Sequence, residues 1–284
     1  MSRTRAFAQV DVFSATPFGG NPVAVVLDAD GLTDEQLQRV ALWTNLSETT
    51  FVLPPTDDAA DYRVRIFTTR RELPFAGHPT LGTAHAWLEA GGRPRREEVV
   101  VQECAAGLVD VRRGDGDLLA FAAPPLTRTG PVSEEDLAPF VATLGVGRDA
   151  VLDHQWVDNG PGWAVLRLAS AEDVLLLEPD RSHAPEAKLG VVGWHPAGSD
   201  HLYEVRAFVP GAGIAEDPVT GSLNAGIAQW LAKGGEVPLR YRARQGTAIG
   251  RSGTVEVEVD GDGPDPEVWV GGATRTCVRG TVEI

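Results

Sequence analysis

Apolar and polar residues alternate from Ala6 to Phe13, the period of a half-buried strand. Pro17 to Pro22 (PFGGNP) reads as a turn cluster, and Val23 to Leu27 as a short apolar strand. From Thr33 to Trp43 the period changes to that of a helix. Leu37, Val40 and Ala41 form its apolar stripe, and Thr33 with Gln36 fits a capping box. A polar loop, Asn45 to Thr50, leads into a β-branched strand at Thr49 to Leu53. Strands are also predicted at Tyr62 to Thr68, Val99 to Gln102, Gly107 to Arg112 and Leu118 to Ala122. In the second half, Ser133 caps a helix with an apolar stripe at Leu137, Phe140, Val141 and Leu144. Strands follow at Trp163 to Leu168, Tyr203 to Val209, Val237 to Ala243, Gly253 to Val259, Glu267 to Val270 and Thr276 to Ile284. Val174 to Leu177 fits strand or short helix, Asp260 to Asp265 fits a hairpin turn, and Arg181 to Ser199 shows no period.

One pattern occurs twice. Tyr62 to Gly92 and Tyr203 to Gly235 both open with Tyr-x-Val-Arg-x-Phe and both end in Trp-Leu-x-x-Gly-Gly. Between these marks lies a Gly- and Pro-containing loop, two residues longer in the second copy, that runs into a helix. The helices are expected over Pro79 to Ala90 and Gly221 to Ala232. Two copies half a chain apart suggest two similar halves facing each other. Pro124-Pro125 is the expected crossing point, which gives domains of 1–124 and 125–275.

Composition narrows the chemistry. The 284 residues are 43% hydrophobic and 23% charged, enough for two domains with buried cores. A net charge of -15 argues against nucleic acid and against anionic membrane surfaces. Cys104 and Cys277 are the two cysteines and belong to no metal-binding spacing, so neither structural zinc nor a disulfide framework is expected; each reads as a small buried residue. The start, MSRTRAFAQVDVF, lacks the apolar core of a signal peptide, and the expected location is the cytoplasm.

A helix start offers unpaired N–H groups and partial positive charge, a local anion site within a negatively charged chain. The two loops, at Gly77-His78-Pro79-Thr80 and at Thr220-Gly221-Ser222, would supply two such sites to one cleft. The alternative is that Gly77 and Gly221 merely permit turns and that His78 and Ser222 are N-caps. His78, Asp217 and Glu48 are the ionisable groups near these loops, and a carboxyl group in a closed, apolar cleft is suited to proton shuttling. The remaining histidines show no ligand spacing, and His85 reads as helix packing.

These segments resemble the phenazine-biosynthesis isomerase (PhzF-like) family, which is similar in fold to diaminopimelate epimerase. The match lies in Val10-Asp11-Val12-Phe13, Phe18-Gly19-Gly20-Asn21-Pro22, Ser47-Glu48-Thr49-Thr50-Phe51-Val52, Glu72-Leu73-Pro74-Phe75-Ala76-Gly77-His78-Pro79-Thr80, Glu216-Asp217-Pro218-Val219-Thr220-Gly221-Ser222, and Gln245-Gly246 with Gly250-Arg251. The resemblance implies an α/β (α+β) fold of two similar domains, each a curved mixed sheet around a central helix, related by a pseudo-two-fold axis. It also implies that the last strand, 276–284, joins the first domain. By the same resemblance, proton transfer needs no cofactor and no metal, the substrate is a small anion, and the assembly is a homodimer. Glu48 resembles the family's general acid/base, and His78 and Asp217 its polar partners. Ser47, Gly77, Gly221 and Ser222 resemble substrate-binding positions. Neither loop carries a cysteine, which disfavours a two-thiol racemase. The function expected is an isomerase of a small carboxylic acid. Its alternatives are a racemase or epimerase using Glu48 and Asp217, and a binding protein without catalysis.

Overall fold

The computed structural model describes residues 3–114, 116, 118–212, 215–261 and 266–284. The chain falls into two compact units, Met1–Ala122 with Gly271–Ile284, and Ala123–Val270.

The first unit contains β1 (Thr4–Val12), β2 (Asn21–Val26), α1 (Asp34–Thr44), β3 (Thr49–Leu53), β4 (Tyr62–Phe67), the two-residue β5 (Glu72–Leu73), α2 (Gly77–Glu89), β6 (Val99–Cys104), β7 (Gly107–Arg113) and β8 (Leu118–Ala122). The second contains β9 (Arg128–Gly130), α3 (Glu134–Leu144), β10 (Asp153–Asp158), β11 (Trp163–Arg167), α4 (Ala171–Leu175), β12 (Lys188–Trp194), β13 (Tyr203–Phe208), α5 (Gly221–Lys233), β14 (Arg240–Gln245) and β15 (Gly253–Asp260). The last strand, β16 (Glu267–Glu283), begins in the second unit and ends in the first.

In the first unit the strands run in the order β1-β2-β3-β4-β6-β7-β8-β16, and β16 pairs back onto β1. The helix α2 packs against β1, β2, β3, β6, β7 and β8. Its residues 77–86 are all buried, so it has no solvent face for an amphipathic pattern to reveal. Small residues make this possible: a Cβ on Gly82 would lie 2.3 Å from Val23 Cγ1. Outside the strands, α1 packs Leu37 and Ala41 against Val26, Phe51 and Phe67, with Val282 and Ile284 alongside. Its capping box is present, Thr33 accepting from Gln36 N and Gln36 reaching back to Thr33 N.

The second unit orders its strands β9-β10-β11-β12-β13-β14-β15. Its helix α5 packs against β10, β11 and β15. Ser133 caps α3 as expected, and the four stripe residues enter a core with Leu166, Val174, Leu189 and Val191. The ambiguous Val174 segment is the helix α4.

Several expectations are corrected. The unassigned 181–199 region holds β12, which is covered on both faces: Gly190 faces Leu223 of α5 and Gly193 faces Ser170 at the start of α4. A strand buried on both sides lacks alternation. β9 and β10 were not foreseen. The two predicted C-terminal strands are one, because Gly271 is not a break but a close approach, where a Cβ would lie 2.3 Å from Leu119 O. The expected turn at Asp260 to Asp265 falls largely outside the described residues. Among the described residues, no helix is long and apolar enough to cross a membrane.

The repeat also shifts by one residue. Both helices end in the same turn, closed by Gly91 N to Leu88 O and Gly92 N to Trp87 O in α2, and by Gly235 N to Ala232 O and Glu236 N to Leu231 O in α5. Gly91 and Gly235 take the left-handed conformation this turn requires. The Trp-Leu-x-x-Gly-Gly match is therefore out of step with the structure, and the second loop is three residues longer rather than two.

Candidate functional site

The first group of site residues sits on three elements of the first unit. Asn45, in the left-handed conformation, ends α1 and turns the chain into Ser47 and Glu48 just before β3. Both residues are half-buried. His78 lies in the first turn of α2 rather than in a loop, and neither it nor any other side chain caps that helix, whose N-cap is Ala76. Gly77 opens the helix. Its N–H and that of His78 belong to the turn for which a helix supplies no acceptor. Glu48 Oε2 approaches His78 Nε2 to 3.4 Å. Asn21, at the start of β2, places Nδ2 3.4 Å from His78 Nδ1. Burial pushes the His78 pKa from 6.5 down to about 3, against a smaller upward pull from the Pro22 backbone. The imidazole is thus neutral, and its contact with Glu48 is not an ion pair.

The second group lies in the second unit. Asp217 N donates to Ala207 O at 2.9 Å, which fastens the loop to β13. Its Oδ2 accepts from Thr220 Oγ1 at 2.6 Å. Thr220, not Ser222, is the N-cap residue of α5, and it too makes no side-chain cap bond. Gly221 opens the helix. Ser222 is held twice: its carbonyl accepts from Asn159 Nδ2 and its Oγ from Trp163 Nε1, both at 2.9 Å. An indole N–H can only donate, so the Ser222 hydroxyl accepts there and keeps its own proton to offer elsewhere.

Ahead of each helix the same brace recurs. Arg206 grips Glu216 with Nε at 3.1 Å and Nη2 at 2.8 Å. Arg65 grips Glu72 with Nε at 2.7 Å and Nη2 at 2.6 Å. Each Arg is that of the repeated Tyr-x-Val-Arg-x-Phe, and Glu72 and Glu216 stand at equal spacing before Gly77 and Gly221.

The structure brings Glu48 and His78 together across 30 residues of sequence. The sequence placed Thr220 in the second loop but gave no sign that Asn21, Asn159, Trp163 and Gln245 are neighbours of the site residues. Asn21 and Gln245 stood inside the quoted motifs, but nothing in their spacing told what they touch. His85 is buried beside Thr274, Nδ1 to Oγ1 2.9 Å, in keeping with a packing role. His195 meets Glu204 and His201 meets Thr254. No cluster of three or more metal-ligating side chains occurs among the described residues. Cys104 is buried on β6; Cys277, expected to be buried, is only partly covered on β16.

A family model described as "Phenazine biosynthesis-like protein" matches residues 10–280. The "Antisense-enhancing sequence 1" protein of Schizosaccharomyces pombe is 38% identical, with 97% of each chain covered. The trans-2,3-dihydro-3-hydroxyanthranilate isomerase of Pseudomonas aeruginosa is 35% identical, over 90% of this chain and 91% of that one. In fold, the chain is similar to the Bacillus anthracis phenazine biosynthesis protein of the PhzF family, with a TM-score of 0.84 at 24% identity over 99% of this chain and 100% of that one. With its motifs in order, a helix wrapped by strands in its first unit, and a family match over nearly its whole length, the chain belongs to the phenazine biosynthesis-like (PhzC-PhzF) family and is an isomerase.

Proposed function

We propose that this isomerase moves a proton between two carbons of one small carboxylic acid, with Glu48 as the base and acid, and that it needs no cofactor. The observation that carries the reading is the approach of Glu48 Oε2 to a neutral, buried His78 at 3.4 Å. A carboxylate held against a buried imidazole stands at the helix start where an anionic substrate would dock, a placement suited to proton transfer. Glu48 takes a C–H proton, the electron pair of that bond moves into the conjugated system, and the protonated carboxyl, which exchanges its proton with solvent between the two steps, delivers one proton to the far end of it. One proton leaves the substrate and one returns to it, so the balance requires no oxidant or reductant. The first turn of α2, beside Glu48 and His78, would bind the carboxylate, and Asp217 with the Ser222 hydroxyl are the second unit's groups for orienting the substrate. The relatives' name suggests a dihydroaromatic amino acid, and trans-2,3-dihydro-3-hydroxyanthranilate is the first compound to assay.

Replacing Glu48 with Gln keeps the shape of the side chain and removes the base. The expected loss in turnover is about 10²–10⁴-fold, with solvent deuterium entering the wild-type product at one carbon. A Glu48→Gln enzyme of full activity would sink the assignment. Exchange with inversion at a single carbon would instead support racemisation, for which neither loop supplies the thiol pair.

A further inference from the structure

Gln245, the last residue of β14, has no solvent exposure and makes four hydrogen bonds. Its Oε1 accepts from Thr220 N at 3.0 Å and from Asn224 Nδ2 at 2.7 Å. Its Nε2 donates to Asp217 O at 3.1 Å and to Thr220 Oγ1 at 3.0 Å. Two of these partners are backbone groups of fixed sense. An amide N–H can only donate and a carbonyl can only accept, so the Gln245 side chain has one possible orientation. The Thr220 hydroxyl is therefore an acceptor toward Gln245, and its single proton goes to Asp217 Oδ2 at 2.6 Å. Every hydrogen bond from β14 to the Asp217 carboxylate has one direction. The loops are also pressed together: Gly246 is left-handed, and a Cβ there would lie 2.7 Å from Pro218 O.

We propose that Gln245 and Thr220 are positioning residues for the reaction, a one-way relay that fixes the Asp217 carboxylate as a hydrogen-bond acceptor in a single orientation. The inference rests on the reading of Asp217 as part of the reacting site. It assigns to the second unit what the loop sequence Glu216-Asp217-Pro218 does not reveal. The carboxylate is aimed by a residue 28 positions downstream on another strand. The polar side-chain atoms of Gln245 and Thr220 are spent on protein partners, so their loss should fall on the rate of the bound complex more than on binding.

Three variants test it. Thr220→Val keeps the shape and removes the relay hydroxyl. Thr220→Ser restores that hydroxyl. Gln245→Glu keeps the acceptor oxygen but removes the donor, so the Thr220 proton is drawn away from Asp217. With trans-2,3-dihydro-3-hydroxyanthranilate as substrate, Thr220→Val and Gln245→Glu should lower kcat about 10-fold or more while KM stays within about 3-fold, and Thr220→Ser should keep most of the wild-type kcat. Crystal structures of the same variants should show the Asp217 carboxylate turned or split into two orientations in Thr220→Val and unchanged in Thr220→Ser. A Thr220→Val enzyme with wild-type kcat, or a Thr220→Ser enzyme as impaired as Thr220→Val, overturns the proposal. If the wild-type protein does not turn over this substrate, the choice of substrate falls. The crystal structures still decide the relay, and an unmoved Asp217 in both Thr220→Val and Gln245→Glu refutes it.

Discussion

His78 is a residue whose burial sets its chemistry. An imidazole in water titrates near 6.5, and here burial holds the group neutral down to about pH 3. The folded pKa lies below the unfolded one, so on acidification the unfolded chain takes the proton first. The stability tied to neutral His78 is complete above pH 6.5 and is lost as pH falls toward 3. Between pH 7 and about pH 5 this amounts to roughly 2 kcal/mol, and wild type should lose that much more stability than His78→Gln in urea titrations at the two pH values. Carboxylate contributions common to both proteins cancel. Parallel pH dependence in the two would mean that His78 is not held neutral. The sequence identified Glu48 and His78 as candidates from residue type and motif, but it placed His78 in a loop and could not say that the two meet. Their contact needs the left-handed turn at Asn45 and the early start of α2, and neither is encoded by hydrophobic period.

At the scale of elements, the two repeats carry the same Arg–Glu brace in different surroundings, which makes them a natural comparison. The Arg206 and Glu216 side chains are 8% and 6% exposed, and Arg206 Nη1 also donates to Leu177 O at 2.7 Å. The Arg65 and Glu72 side chains are 26% and 35% exposed. Removing one partner of a buried pair leaves a charge without compensation, at a cost of about 3–5 kcal/mol, whereas an exposed pair is worth at most ~1 kcal/mol. Arg206→Met should therefore lower the unfolding midpoint in urea steeply and Arg65→Met only slightly. Equal effects would show that burial does not separate the two braces. Local signals made much of the fold legible: the caps at Thr33 and Ser133, the stripes of α1 and α3, and the β-branched strand Thr49–Leu53 all formed as the sequence predicts. What stayed hidden depended on distant partners. β12 shows no alternation because both its faces are covered, and β9 is only three residues long, with polar and glycine content. The glycines at 271 and 272 look like a break until Leu119 is seen to lie against the backbone. The repeat was visible, but its register was fixed by helix-ending turns and not by the matching tryptophans.

For the whole molecule, the order of strands makes the two units unequal in their dependence on the chain end. The second unit is one continuous stretch, Ala123–Val270. The first needs Gly271–Ile284, because β16 lies between β8 and β1 and pairs with β1 from Thr4↔Glu283 to Val12↔Thr274. Without that strand, β1 would keep β2 on one side but lose β16 on the other along its full length, β8 would become an open edge, and Val282 and Ile284 would leave the α1 core. The interior helix α2 depends on the same closure, since its ten buried leading residues have no water-facing side on which to survive. A chain ending at Val270 should therefore keep the second unit folded and lose the first. Amide hydrogen exchange reads the two separately: in the shortened chain the amides of α2 should exchange as in an unfolded segment while those of α5 stay protected, and a peptide of residues 271–284 added in excess should restore protection to α2. Protected α2 amides in the shortened chain would show that the ring of strands holds without its last member. The same experiment bears on catalysis, because Glu48 and His78 belong to the unit that depends on β16, whereas Asp217 and the Gln245–Thr220 relay do not. On the proposed assignment, the shortened chain should lose the setting of Glu48 and His78 and retain that of Asp217, so that added peptide restores turnover in step with the protection of α2.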